Sequence, residues 1–149
     1  MLVKTMSIGS SVVLGLAAML VPLPAHSARS AASVGFGVGY SPNLYRSAGS
    51  LVNGDPSTVK EVHIPVTVGS HRNFTLTGRF KGNGSTPTVC AGMRVDGNNN
   101  FIFSAEGDEA SSTYTTHSLG TLNIVSGTSL VFHCFLAPNG GAVNAFDWN

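Results

Sequence analysis

From residue 61 onward the chain alternates apolar and polar positions with a period of two. In EVHIPVTV, Val62, Ile64, Val66 and Val68 alternate with Glu61, His63, Pro65 and Thr67. In RNFTLTGRFK, Phe74, Leu76 and Phe80 alternate with Asn73, Thr75, Thr77 and Arg79. Successive side chains of a strand point to opposite faces, so this pattern predicts half-buried β-strands. Further strands are predicted at 88–95, 100–106, 113–118, 121–125, 130–137 and 142–148. The stretches between them, VGSH, KGNGSTP, DGNNN, EGDEASS, VSGTS and PNGG, carry turn chemistry. Past the first residues no helical apolar stripe is sustained. The expected fold is all-β: a β-sandwich or small barrel of about seven to eight antiparallel strands, over residues 59–149. Pro65 cannot donate to a ladder, which places its strand at a sheet edge. An immunoglobulin domain would carry a tryptophan between its cysteines and a tyrosine two residues before the second. The single Trp is Trp148 and Phe132 holds the other place, so that signature is missing.

Residues 28–58 read differently. In SVGFGVGY, Val34, Phe36, Val38 and Tyr40 alternate with glycines, leaving one face without side chains. This fits a first strand whose glycine face is packed by another backbone. It also fits a detachable contact strand that adds to a neighbouring subunit's sheet. The following SPNLYRSAGSLVNGDPST reads as a loop, anchored by Leu44, Tyr45, Leu51 and Val52. Residues 28–149 are expected to fold as one unit.

The first residues bear on compartment. Lys4 precedes an uninterrupted apolar run at 12–21, followed by PLPAHSA with its helix breakers and small residues. That is the layout of a secretory signal peptide, with cleavage expected after Ser27. The apolar run is half the roughly 20 residues a spanning helix needs, so no membrane span is expected in the mature chain. Removing 27 of 149 residues leaves 122, a length suited to one domain. Lys4 leaves with the leader, so seven basic residues balance seven acidic ones. Such a balance offers no footprint for nucleic acid and no polybasic membrane patch. The chain is expected to be secreted, extracellular or periplasmic.

An exported protein meets an oxidising compartment, where two cysteines most often pair. Cys90 and Cys134 are therefore expected to form a disulfide bond. A metal site would want further ligands at short spacing, and His133 points away from Cys134 on the strand. In TVCAGMRVDG, Val89, Ala91, Met93 and Val95 share one face and leave Cys90 on the other. Either the bridge lies on an outer sheet face, or a bulge at Ala91–Gly92 turns Cys90 inward. The bulge is the favoured reading.

The remaining chemistry is sparse. DGNNN, residues 96–100, begins like a calcium loop, but the twelfth position is Gly107 rather than a carboxylate, and a hairpin loop is expected. Glu106, Asp108 and Glu109 in EGDEASS read as a solvated acidic turn. His63 falls on the outward phase and His71 in a turn, while His117 and His133 would approach each other if their strands paired. No closely spaced ligand pair marks a metal site, no cofactor is implied, and no catalytic motif is found. Asn73 and Asn83 both fit the glycan acceptor pattern and are expected to be reachable.

Two function classes follow. The first is a non-catalytic surface or extracellular structural subunit, associating with itself or another surface protein through Val34, Phe36, Val38 and Tyr40. The second is a secreted module binding carbohydrate or another ligand, with Tyr40, Tyr45, Tyr114 or Trp148 stacking on a sugar ring. A small secreted hydrolase or inhibitor stands behind both.

Overall fold

The computed structural model describes residues 28–32, 35–39, 42–69 and 71–149. The expected leader 1–27, and Val34 and Tyr40 of the glycine-alternating strand, lie outside them. Eleven strands follow in order: β1 (Ala28–Ala31), β2 (Phe36–Gly37), β3 (Leu44–Ser47), β4 (Ser50–Asn53), β5 (Lys60–Val66), β6 (Asn73–Lys81), β7 (Thr88–Asp96), β8 (Phe101–Glu109), β9 (Thr115–Asn123), β10 (Thr128–Leu136) and β11 (Ala142–Trp148). They make two antiparallel sheets packed as a sandwich. One has the order β3-β4-β11-β6-β9, with β1 also paired to β11; the other has the order β2-β5-β10-β7-β8. Among the described residues no helix is long and apolar enough to cross a membrane.

The alternation predicted for β5 and β6 is what fills the space between the sheets. Val62 and Ile64 of β5 and Phe74, Leu76 and Phe80 of β6 are buried, as are Leu130, Phe132 and Leu136 of β10. Phe132 and Phe146, from opposite sheets, stack with centroids 4.0 Å apart and planes 9° from parallel. Trp148 packs beside them, 6.3 Å from Phe132. It is a core residue and presents no exposed ring.

Cys90 and Cys134 form the expected disulfide, but not by the expected route. They face each other directly on β7 and β10, with Cα atoms 4.2 Å apart, and both lie in the core. The register between β7 and β10 runs unbroken from Asp96 to Val89, so β7 carries no bulge against β10. The bulge lies on β8: between Ala91 and Met93 the partner strand advances from Glu106 to Phe103, leaving an extra residue at Ser104–Ala105. The Ser104 hydroxyl accepts the Gly92 N–H at 2.8 Å. Cys90 faces inward because Val89, Ala91, Met93 and Val95 face outward. Ala91 and Met93 are nonetheless buried.

Four further expectations are corrected. The segment after residue 42 is a hairpin, β3–β4, turning through Ala48 (φ 47°) and Gly49 (φ 81°). Two consecutive left-handed residues match a two-residue hairpin turn, but alanine is not a residue that advertises one. Residues 115–123 are one strand, because the extra residue at Leu119–Gly120 is absorbed as a bulge with Gly120 at φ 74°. The acidic stretch Glu106–Glu109 continues β8 instead of turning. Its Gly107 faces inward, where a Cβ would meet Leu119, His117 and Phe80. Finally, β5 is not the sheet edge: β2 covers it at His63 and Val62, and Pro65 lies beyond that cover. At Gly35 an added Cβ would collide with Ile64 and approach two backbone carbonyls, so this glycine sits against another strand of its own chain.

Candidate functional site

The outer face of the six-stranded sheet carries a trough of about 430 Å³. Strand β11 joins the β3–β4 hairpin to β6, and that junction assembles the lining. Tyr45 of β3 stands opposite Val52, and Ser47 opposite Ser50. Asn144 is the extra residue of a bulge in β11, where the register against β6 shifts between Val143 and Ala145. Lys81 ends β6, and Tyr114 enters from the segment before β9.

Two polar side chains of the trough converge on one atom. The Ser50 hydroxyl oxygen accepts the Tyr114 hydroxyl at 2.8 Å and the Asn144 amide at 3.0 Å. The Lys81 ammonium lies 5.4 Å from the Tyr114 ring centroid, and the Arg79 guanidinium 5.9 Å from it. A cation over an aromatic face is attracted by the ring quadrupole, so Tyr114 is held from both its hydroxyl and its face. Tyr45 is 50 % exposed and offers an open ring. None of the described residues lining the trough is a carboxylate.

The outer face of the other sheet is chemically different. Phe36, Phe101, Phe103 and Phe135 are exposed there by 53, 54, 49 and 42 %. Among them Glu61, His63 and His133 form a compact group. His133 stands opposite His63 across β10 and β5, and Glu61 precedes His63 by two residues on the same face. Nε2 of His133 is 2.9 Å, and Nε2 of His63 3.5 Å, from the same oxygen of Glu61. Burial, with the His133 imidazole beside it, lowers the pKa of His63 against the opposing pull of Glu61.

The other expected residues are placed as follows. Phe36 and Val38 are exposed on the edge beside β5, and Phe36 meets His63 edge-on at 6.0 Å. Tyr45 and Tyr114 share the trough, while Tyr40 lies outside the described residues. His117 and His133 belong to different sheets; His117 instead bonds Glu109 at 3.1 Å and stacks on Phe80. The Asp96 carboxylate of DGNNN is engaged by its own loop, accepting from Asn98 and Asn100. Asn73 is exposed. Asn83 is not a free acceptor: its amide donates to Pro138 at 2.9 Å and its oxygen accepts the N–H groups of Ser85 and Thr86. Lys81, Ser50 and Asn144 were not singled out from the sequence, since only the pairing of distant strands brings them to the tyrosines.

The sequence matches no protein-family model and no curated protein. Solved structures do match the fold. The CBM36-1 domain of a multidomain xylanase from the hindgut metagenome of Trinervitermes trinervoides superposes with a TM-score of 0.57 at 10 % identity, over 83 % of this chain and 97 % of that one. The C-terminal CBM6 of LamC, a marine laminarinase from Zobellia galactanivorans, gives 0.56 at 14 % identity, over 83 % and 99 %. The GH26-CBM35 β-(1,4)-mannanase of Podospora anserina gives 0.54 at 13 % identity, over 83 % of this chain and 27 % of that one. The chain thus spans about a quarter of the mannanase. At these identities the likeness establishes a shared β-sandwich fold.

Proposed function

We propose that this chain is an exported, non-catalytic carbohydrate-binding module that holds a glycan in the trough between Tyr45 and Tyr114. The observation that carries this reading is the lining itself: an open tyrosine ring beside amide, ammonium and hydroxyl groups, with no carboxylate among them. A pyranose presents an apolar C–H face and a rim of hydroxyls. Tyr45 supplies a rigid flat surface for the first, and Lys81, Asn144 and Ser47 supply donors and acceptors for the second. The volume of about 430 Å³ lies in the range of small-molecule sites. The shared fold with carbohydrate-binding modules supports the same reading. The disulfide supports export, since such bonds persist in oxidising compartments.

The test is affinity electrophoresis through gels containing soluble xylan, β-glucan or mannan, with Tyr45→Ala beside the wild type. Retardation in at least one gel is expected, weakened at least about tenfold by the substitution, the scale of a central aromatic contact. Wild-type protein that migrates unretarded through all three overturns the reading, as does a Tyr45→Ala variant retained equally well.

A further inference from the structure

Glu61, His63 and His133 place three metal-ligating atoms within 4.8 Å of one another on the outer face of the five-stranded sheet. We propose that they form a binding site for one divalent late-transition-metal ion, Zn²⁺ in the first instance. The site rests on different residues and a different sheet from the trough, so neither reading depends on the other.

The backbone supplies the arrangement. Residues two apart on a strand share a face, and directly opposed residues on adjacent strands are the nearest cross-strand neighbours. Glu61 and His63 therefore project side by side from β5, and His133 projects toward them from β10. Both imidazole Nε2 atoms converge on one carboxylate oxygen, at 2.9 and 3.5 Å. Ligands about 2.1 Å from a tetrahedral zinc stand about 3.4 Å from each other, so a small rotation of the side chains encloses the ion.

Two imidazoles and one carboxylate are a donor set that zinc accepts. Calcium and magnesium prefer oxygen alone, which disfavours them here. The rings are also held from outside the set. His133 is flanked by Phe135 at 4.7 Å and Phe103 at 5.7 Å, and the two imidazoles meet edge-on at 5.2 Å. An apolar surround of this kind limits solvent access to a metal site. Three protein ligands leave a fourth position for water or a ligand atom.

His117 provides an internal control. It lies on β9 of the six-stranded sheet and bonds a single carboxylate, Glu109 of β8, and no second imidazole stands with it in a ligand group among the described residues. Chelator-treated full-length protein would be titrated with ZnCl₂ by calorimetry and with CoCl₂ by visible absorption. One ion per chain and a Co²⁺ d–d band of four-coordinate intensity are expected. Loss of even an outer-sphere partner commonly costs about 10- to 100-fold in affinity, so His63→Ala and His133→Ala should each weaken binding at least about tenfold. His117→Ala should leave it unchanged. Wild-type protein that gives no such Co²⁺ band overturns the proposal whether or not the variants fold. So does Zn²⁺ binding that persists undiminished in the folded His63→Ala, His133→Ala double variant.

Discussion

Cys134 stands directly across from Cys90 on an adjacent strand of the same sheet, so their bond ties two neighbours and not the two sheets. It closes a loop over a sequence separation of 44, which spans β8 and β9. Chain-entropy arithmetic for a loop of that size gives about 4 kcal/mol of stabilisation. The Cys90→Ala, Cys134→Ala double variant is expected to keep its β-sheet circular dichroism and to lose stability on that scale in urea. Unchanged stability would show that the unfolded chain is not restrained by the bond.

Phe132→Ala should cost about 3–5 kcal/mol, the range for deleting a buried aromatic ring. The ring is fully buried and stacked on Phe146 of the opposite sheet, so little can collapse into the space without moving both sheets. Phe135→Ala removes the same atoms from the same strand, but at an exposed outer position. Urea denaturation should separate the two variants clearly, and equal losses would count against the burial argument.

Gly82 follows β6, and a Cβ there would fall 2.5 Å from the carbonyl oxygens of Thr86, Glu109 and Ala110. No flexible side-chain end is among these, so backbone must shift. Gly82→Ala is expected to destabilise by about 3 kcal/mol, the upper part of the range for overpacking. Gly97→Ala, at a site with nothing within 4 Å, should stay close to the wild type. Thermal melts of the two variants check the contrast.

Acid should destabilise the protein through three carboxylates. Asp55 is held well below its ordinary value by the backbone N–H groups of Ser57 and Thr58 and by Lys60. Asp96 is lowered by the side chain and backbone of Asn100, and Glu109 by Thr115, Ser111 and His117. Each folded pKa lies below the unfolded one, so the unfolded chain binds more protons as the pH falls. Their stabilisation is present above the ordinary carboxylate values of 3.8 and 4.5 and is lost as the pH drops through the folded values. The melting temperature should decline between about pH 5 and pH 3, less steeply in Asp55→Asn. An equal acid slope in that variant would remove Asp55 from the account.

Local pattern revealed the strands wherever one face is dry and the other wet, as in β5, β6 and β10. It misled where that premise fails. β7 turns its apolar residues outward, on the face that carries the exposed phenylalanines of its sheet, and hides a cysteine, a glycine and Thr88 inside. The β3–β4 hairpin escaped because Ala48 takes a left-handed conformation that sequence rarely signals. Tyr45 and Tyr114 were legible as candidate stacking residues, but not as neighbours. Their shared trough exists only because β11 lies between β4 and β6, and pairing order is not written in a two-residue period. The same holds for His133, which meets His63 and Glu61 because β10 pairs with β5.

That central position of β11 has a kinetic consequence. The β3–β4 hairpin is local, whereas β6 pairs with β9 across the intervening β7 and β8, and within their sheet the two pairs share no neighbour until residues 142–148 enter between them. Every backbone bond that unites the sheet is therefore long-range, and loop closure must be paid for before those contacts return anything. Refolding is expected to run on the millisecond-to-second scale typical of such topologies, with the six-stranded sheet completed in a single late step.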